Sequence, residues 1–340
     1  MIKYDTYYEK HCGRYYGWLP ASKEYKSHSE KDSLKYFTLC AEEAIDVFMF
    51  ELEGVLFRDE YGLLPNVFIC ESDISIADKI FSRVRPPVKE ALIIGRLQEI
   101  LTFQDDNDTR DKSIDGEKRI SDSNVRKKLY IKGLAQRLES YFPFDIINFD
   151  PYGNLLNPDD RSNKLYQSFE RIFELQKAIN TFLLFVTTPI IDIHSEFKCR
   201  FRSDFDSNVS NYDKISSALK SLIGTTNYDE LDENKRISIT IAKSIVNQTA
   251  KNKGWSSEHK GIYIYENIHG TKMLTSVVQF TQITQENGLF IESLYVDDIV
   301  RVIKNMPRYY SYEDSLKDQE VIEHLKRIVQ FRENSRNQED

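Results

Sequence analysis

The chain has 340 residues, of which 40% are apolar and 29% are charged, and its formal net charge is −8. This composition is typical of a soluble globular protein with a sizeable core, and the acidic balance argues against a generally basic nucleic-acid binder while leaving a local basic groove open. The sequence contains no apolar run of about 18 residues, and its opening residues lack the apolar core of a signal peptide, so we expect a cytoplasmic protein without membrane association.

The first 33 residues are polar and rich in aromatic side chains, and we expect them to form an N-terminal aromatic extension. Rings at this density either stack on nucleobases or pack against a folded domain. The sequence leaves both alternatives open.

Short β-prone runs alternate with segments of helical periodicity through the first half of the chain. The predicted strands are residues 34–40, 66–70, 90–95, 144–150 and 181–187. The predicted helices are residues 41–57, 74–84, 96–103, 125–141 and 165–179. Five alternations of strand and helix indicate a parallel sheet with helices on both faces.

The second half of the chain has a different pattern. Residues 261–265 and 273–280 are strand-like and flank a hairpin-like connection. The predicted helices here are residues 214–223, 237–251, 294–305 and 318–331. We therefore predict an α/β fold with a Rossmann-like, mostly parallel seven-stranded sheet, helices on both faces and a terminal antiparallel hairpin.

The domain organisation expected from these patterns is one α/β domain over residues 34–285, followed by C-terminal helices and a polar tail over residues 286–340. Residues 104–124 are polar and show no periodicity, so we predict a mobile surface insertion there. The length also allows two domains.

The fourth predicted strand ends in the sequence Asp150-Pro151-Tyr152-Gly153. Proline lacks an N–H donor and cannot continue a central strand, so the strand stops at Asp150 and presents a carboxylate and the Tyr152 ring at its carboxyl end. Ligands of open α/β sheets bind beyond these ends. The alternative is an ordinary strand-to-loop turn, for which Asp-Pro and Gly are common residues.

These elements and motifs resemble the class I S-adenosylmethionine-dependent methyltransferases over residues 34–285. The loop after strand one lies where that family binds the methionine part, Glu71 lies where it places an acid on the ribose hydroxyls, and the third strand leads to the adenine contact. The DPYG turn is similar to the DPPY motifs of amino-methylating members and to the DPFG of some tRNA methyltransferases. The resemblance implies S-adenosylmethionine as cofactor, held by Cys40, Ala41, Glu42, Glu71 and Arg96.

The resemblance also implies a reaction at an exocyclic amine of a nucleic acid base, with Asp150, Pro151 and Tyr152 as the catalytic turn. Asp150 and the carbonyl after it would accept hydrogen bonds from the amine, and Tyr152 would stack on the base. Positioning dominates the rate of such a transfer, and a base inside a duplex would have to be flipped out. We expect Glu71, the loop 40–44 and Asp150 to line one cavity.

A possible substrate contact lies in the sequence Phe197 to Arg202, FKCRFR. The alternation of apolar and basic residues predicts a half-buried strand with Lys198, Arg200 and Arg202 on one face. Three cations in a row would suit a phosphate backbone. The alternative is a solvated edge strand that uses its cations against edge pairing.

Other site types are weakly supported. The six histidines form no HExxH set and the four cysteines, Cys12, Cys40, Cys70 and Cys199, form no CxxC pair, so we expect no metal site. Buried reduced thiols are the simplest interpretation of these cysteines. No P-loop and no GxSxG motif is present.

Two further functions stay open beside the methyltransferase. The loop after strand one contains no glycine, although close approach of a backbone to a cofactor favours glycine. A protein that kept the fold as a binding or scaffolding subunit, with a protein partner, would have this character. The third possibility is a different α/β enzyme, such as a nucleotide-processing one.

Overall fold

The structure is a computed structural model that describes residues 8–86, 91–103, 123–150, 155, 165–190, 193, 195–240, 248–267, 269–283, 288–305 and 308–337. The predicted mobile segment 104–124 lies, apart from its last two residues, outside the described residues. Those two residues belong to a helix that begins at Ser123.

One mixed sheet organises the chain. Its strands are β1 (Tyr36–Thr38), β2 (Val67–Glu71), β3 (Leu92–Ile94), β4 (Ile146–Phe149), β5 (Thr181–Pro189), β6 (Trp255–Glu266), β7 (Lys272–Gln282) and β8 (Arg308–Tyr310). Their spatial order is β3-β2-β1-β4-β5-β7-β6-β8. The first five strands are parallel to one another, whereas β7 is antiparallel to both β5 and β6. The predicted α/β class with a mostly parallel sheet is confirmed.

The sheet differs from the prediction in its strand count and in its edge. Within the described ranges it has eight strands where the sequence predicts seven. The additional strand β8 has three residues and pairs parallel to β6, so the antiparallel pair β6–β7 is not the edge of the sheet. Three residues between two helices are too few for a period-two pattern to be recognised.

Alternate side chains of each strand enter two separate cores. Phe37, Ile147 and Leu184 point to the face covered by α5 (Leu97–Leu101), α6 (Ser123–Tyr141) and α7 (Leu165–Leu175). Tyr36, Ile146 and Leu183 point to the face covered by α2 (Leu19–Ser27), α3 (Ile45–Leu52), α4 (Ile74–Val84) and α14 (Gln319–Asn337). Burial on both faces explains why the central strands are continuously apolar.

The N-terminal aromatic residues pack against the sheet. Helix α1 (Tyr8–Gly13) continues through a π-helical segment, Arg14–Trp18, into α2. The Trp18 ring stacks on Phe185 of β5 at 4.8 Å between ring centroids. A Cβ atom at Gly17 would lie 2.5 Å from the Tyr263 ring, so this contact requires a glycine. The sequence left open whether these rings stack on nucleobases or pack against the folded domain, and Trp18 packs against the domain.

The segment between β5 and β6 forms a small helical cluster. Its helices are α8 (Ser195–Asn211), α9 (Asp213–Leu222), α10 (Glu233–Thr240) and α11 (Gln248–Asn252). Helices α8, α9 and α10 share a third apolar core with α12 (Gly288–Lys304), built from residues such as Phe205, Leu219 and Ile299. Ala250 of α11 packs instead into the core that contains α7. The remaining short helix is α13 (Tyr312–Ser315). No helix of the described ranges is long and apolar enough to cross a bilayer.

The predicted strand at residues 197–202 is wrong, because this segment is the beginning of helix α8. Phe201, Phe205 and Val209 recur every four residues and pack into the cores around the helix. This helical period outweighs the alternation of a six-residue window. The expected burial of all four thiols is also wrong in one case, since Cys199 on α8 is exposed while the other three cysteines are buried.

Candidate functional site

The sheet reverses its winding between β1 and β4. Helices α3 and α4 follow β1 and β2 on one face, whereas α5, α6 and α7 connect β3, β4 and β5 on the other. Strand β1 pairs with both β2 and β4, and Thr38 lies opposite Asn148. Such a reversal opens a crevice at the carboxyl ends of the two central strands, where open α/β sheets bind ligands. The candidate site therefore lies beyond Thr38 and Phe149.

Asp150 directly follows β4 at this edge. Its Oδ2 atom lies 2.7 Å from Nζ of Lys10 on α1, and the two side chains are only 13% and 12% exposed. No partner of Oδ1 is found among the described residues. Helix α1 therefore orients the carboxylate through Oδ2. Pro151 and Tyr152 lie outside the described residues.

A buried polar cluster joins β1, β4 and α3 just below this edge. Oδ2 of Asp46 accepts hydrogen bonds from Tyr36 Oη at 2.5 Å, from Thr38 Oγ1 at 2.6 Å and from Asn148 Nδ2 at 3.4 Å. All four side chains are at most 2% exposed. Burial, followed by the Asp46 charge and hydrogen bond, raises the pKa of Tyr36 well above its usual value. The cluster holds the two switch-point strands and α3 in one arrangement.

Sequence reasoning missed this cluster. Asp46 stands at the start of an apolar helix, where an acid is expected for its effect on the helix dipole rather than as a core residue. The signal that could have found it is the placement of Thr38 and Asn148 near the ends of two apolar runs, because polar side chains inside such runs need buried partners.

The loop after β1 has a left-handed turn at Ala44. Its φ angle is 48°, a conformation that glycine adopts at little cost and alanine does not. Ala44 is the residue that precedes α3, and its amide donates to the carbonyl of Ala41 at 2.9 Å. The loop thus makes with an alanine the sharp turn that a glycine would usually make.

The acids of this loop are held by cations from the surrounding helices. Glu42 lies 3.4 Å from both Lys79 and Arg83 of α4. Glu43 pairs with Arg83 at 3.4 Å and with Arg332 of α14 in a buried ion pair. Cys40 at the start of the loop is 3% exposed. These contacts attach the loop to α4 and α14.

Glu71 and Arg96 lie at the ends of neighbouring strands. The amide of Gly95 donates to the carbonyl of Glu71 at 2.8 Å, so the two strand ends adjoin. Oε1 of Glu71 accepts from the amides of Ser72 and Asp73 at 2.6 and 2.9 Å, and no partner of Oε2 is found in the described part of the chain. The Arg96 side chain is 69% exposed, and its guanidinium lies 4.0 Å from Glu99.

The three basic residues of α8 do not share one face. Arg200 lies 4.0 Å from Asp204 one turn further along the helix. Lys198 and Arg202 instead line a cavity of about 410 Å³ together with Arg236 of α10. The helix brings residues four apart to the same side, so the structure unites two of the three predicted substrate contacts and separates the third. The predicted cavity shared by Glu71, the loop 40–44 and Asp150 stays a prediction.

Comparisons with protein-family models, with curated proteins and with solved structures found no match to this chain. The site is therefore interpreted from its own geometry.

Proposed function

We propose that the chain is an S-adenosylmethionine-dependent methyltransferase-like protein that acts on an exocyclic amine of a nucleic acid base. The observation that carries the proposal is the position of Asp150, directly after β4 at the switch point of the sheet. An acid there projects from the edge at which ligands of this architecture bind.

The residues at the strand ends fit the cofactor in part. Glu71 Oε2, which has no partner among the described residues, would accept hydrogen bonds from ribose hydroxyls. The left-handed turn at Ala44 gives the loop after β1 the sharp turn for which glycine is usual. Arg96 is exposed beside Glu71, at the end of β3, where the resemblance places the adenine contact. When bound, S-adenosylmethionine would supply an electrophilic methyl group.

The chain's own contribution would be to position the amine. Asp150 Oδ1 would accept a hydrogen bond from it, while Lys10 keeps the carboxylate in one orientation through Oδ2. Tyr152 would provide a stacking surface for the base. Methyl transfer from a sulfonium needs little acid–base machinery, so alignment of this kind would account for most of the rate.

The ion pairs of the loop favour a second function. Glu42, Glu43 and Asp150 are each held by a cation of a neighbouring helix. Such internal pairing is what a protein would retain if it used the fold only as a binding or scaffolding subunit. This alternative predicts no cofactor binding.

Titration calorimetry and thermal shift with S-adenosylmethionine separate the two. A ligand present at about 100 times its Kd stabilises the folded state by about 2.7 kcal/mol. The methyltransferase requires this stabilisation and methyl incorporation into nucleic acid. If the melting temperature is unchanged at millimolar S-adenosylmethionine, the result supports the scaffolding function instead.

Two variants then test the catalytic turn. Asp150→Ala should abolish methyl transfer with cofactor affinity nearly unchanged, because the acceptor for the amine is lost. Tyr152→Ala should reduce the rate by removing a stacking surface worth about 1–3 kcal/mol per base. A folded Asp150→Ala protein with full activity would place the reaction elsewhere.

A further inference from the structure

We infer that the cavity between α8, the short helical turn Tyr228–Glu230 and α10 binds an unpaired nucleotide of a single-stranded nucleic acid. The inference rests on the proposed nucleic acid substrate and specifies its strandedness. The cavity measures about 410 Å³, within the usual range of small-ligand sites.

The cavity lies at the same edge of the sheet as Asp150. One of its lining residues is Ile193, which follows shortly after the end of β5. Another is Glu233, which forms an ion pair at 3.2 Å with Lys272, the first residue of β7. The amide of Ile190 donates to the carbonyl of Lys272 at 3.1 Å. Because β4 and β5 are parallel, their carboxyl ends share one edge, and a strand bound in the cavity could extend toward Asp150.

A platform of two planar groups, the Arg236 guanidinium and the Tyr228 ring, lies in the cavity wall. The guanidinium of Arg236 donates to the carbonyls of Leu231 at 2.7 Å and Asp229 at 2.6 Å, which fixes its plane. It lies 5.6 Å from the centroid of the Tyr228 ring. Bases of single strands stack on aromatic rings and on arginine planes of this kind. The Tyr228 ring in turn packs edge-on against Phe205 at 5.4 Å between ring centroids. Because both groups are held by the fold, a base would bind without first ordering them.

Cations surround the platform in a chain whose net charge is −8. Among the described lining residues, Lys198, Arg202 and Arg236 are cationic and Glu233 is acidic. Arg202 pairs with Asp229, but both side chains are more than half exposed, so the pair is weak and can yield to a phosphate. An apolar floor of Phe201 and Ile237 completes the site. A stacking surface beside exposed cations matches a base and its phosphate.

The first experiment measures fluorescence anisotropy of a labelled single-stranded oligonucleotide of about 12 nucleotides, as DNA and as RNA. Lys198→Glu should weaken binding by about tenfold or more and reduce the salt slope by about 0.7 per lost phosphate contact. Arg200→Glu is the matched control, because it makes the same charge change two residues away on a side that does not line the cavity. Equal losses in the two variants would show non-specific attraction and overturn the inference.

The second experiment tests the platform. Tyr228→Ala should weaken binding by about 5- to 150-fold, the value of one stacked base, whereas Tyr228→Phe should bind as the native chain does. If Tyr228→Ala does not fold, the exposed Lys198→Glu variant decides the question. A blunt-ended duplex should bind more weakly than the single strand, and equal affinity for the duplex would overturn the inference.

Cofactor binding separates this inference from the proposed function. A native chain that binds S-adenosylmethionine but no oligonucleotide overturns the cavity assignment and leaves a methyltransferase with another substrate. A chain that binds the single strand through Lys198 and Tyr228 but not the cofactor supports the cavity assignment and contradicts the methyltransferase.

Discussion

Asp150 Oδ2 lies 2.7 Å from Nζ of Lys10, so the acid that ends the fourth strand is tied to the first helix of the structure. The two residues are 140 positions apart in the sequence, and their contact places α1 beside the candidate site. The position of this helix thereby becomes part of the site.

A double-mutant cycle measures the coupling free energy between Lys10 and Asp150. Lys10→Met and Asp150→Asn should each lower the free energy of unfolding by about 1–3 kcal/mol, because each leaves a largely desolvated charged partner. The double variant should lose less than the sum, with a coupling of about 0.5–3 kcal/mol in urea unfolding. The exposed pair Glu323–Lys326 is the control, and its coupling should be about 0–1 kcal/mol. Additive effects at Lys10 and Asp150 would contradict the tie.

The Asp46 cluster should be a determinant of stability. Asp46→Ala leaves the Tyr36 and Thr38 hydroxyls and the Asn148 amide without their common acceptor, which should cost about 3 kcal/mol or more. Denaturant unfolding measures the loss. Asp78→Ala, at an exposed position of α4, should change stability by no more than about 0.5 kcal/mol. A stable Asp46→Ala protein would show that the cluster has other acceptors.

Acid should weaken the contact between the terminal helices. His324 of α14 bonds through Nδ1 to His11 Nε2 at 3.0 Å and through Nε2 to Glu53 at 3.2 Å. Burial of the imidazole lowers the pKa of His324 below 6.5. The charge and the hydrogen bond of Glu53 raise this pKa, but they do not cancel the effect of burial. The unfolded state therefore binds the proton more readily, so this contribution is complete above the unfolded pKa and declines as pH falls through 6.5 toward the folded value.

The measurement is the free energy of unfolding between about pH 7.5 and pH 5.5. One proton gives a slope of at most about 1.4 kcal/mol per pH unit, and His324→Gln should remove it. The groups that face His324 are His11, Glu53, Arg327 and Lys23, together with the Tyr15 ring. His28→Gln, at an exposed site on another element, should keep the native slope. A slope unchanged in His324→Gln would assign the proton to a different group.

The thiols should differ in reactivity by position. Cys199 is exposed and should be alkylated in the native protein, whereas Cys12, Cys40 and Cys70 should react only after unfolding. Burial raises the pKa of Cys12 to about 12 and that of Cys70 further, so little thiolate forms at either. Mass spectrometry after iodoacetamide should give one adduct in buffer and four in urea. Early modification of Cys70 would contradict the described core.

Local pattern determined the class of the fold. The apolar runs and the helical periods of residues 34–187 are properties of short segments, since backbone geometry gives period two to a strand and 3.6 to a helix. They were enough to predict five parallel strands with helices on both faces. The FKCRFR segment shows where this reasoning fails, because six residues fit a strand and only the following turns, with Phe205 and Val209, identify a helix.

Tertiary structure alone decided which residues meet. Nothing near Asp150 in the sequence indicates Lys10, and nothing near Asp46 indicates Asn148, because each pair is brought together by the closing of long loops rather than by a local period. Arg200 and Arg202 likewise have similar sequence surroundings, but the rotation of a helix directs only Arg202 to the cavity with Arg236. The sequence by itself thus determined the α/β class of the fold and the place of Asp150 at the carboxyl end of a parallel strand. The ion-pair partners of the charged side chains at the carboxyl ends of the strands, such as Lys10 for Asp150, depend on packing between segments that are far apart in the sequence. No local pattern encodes such packing.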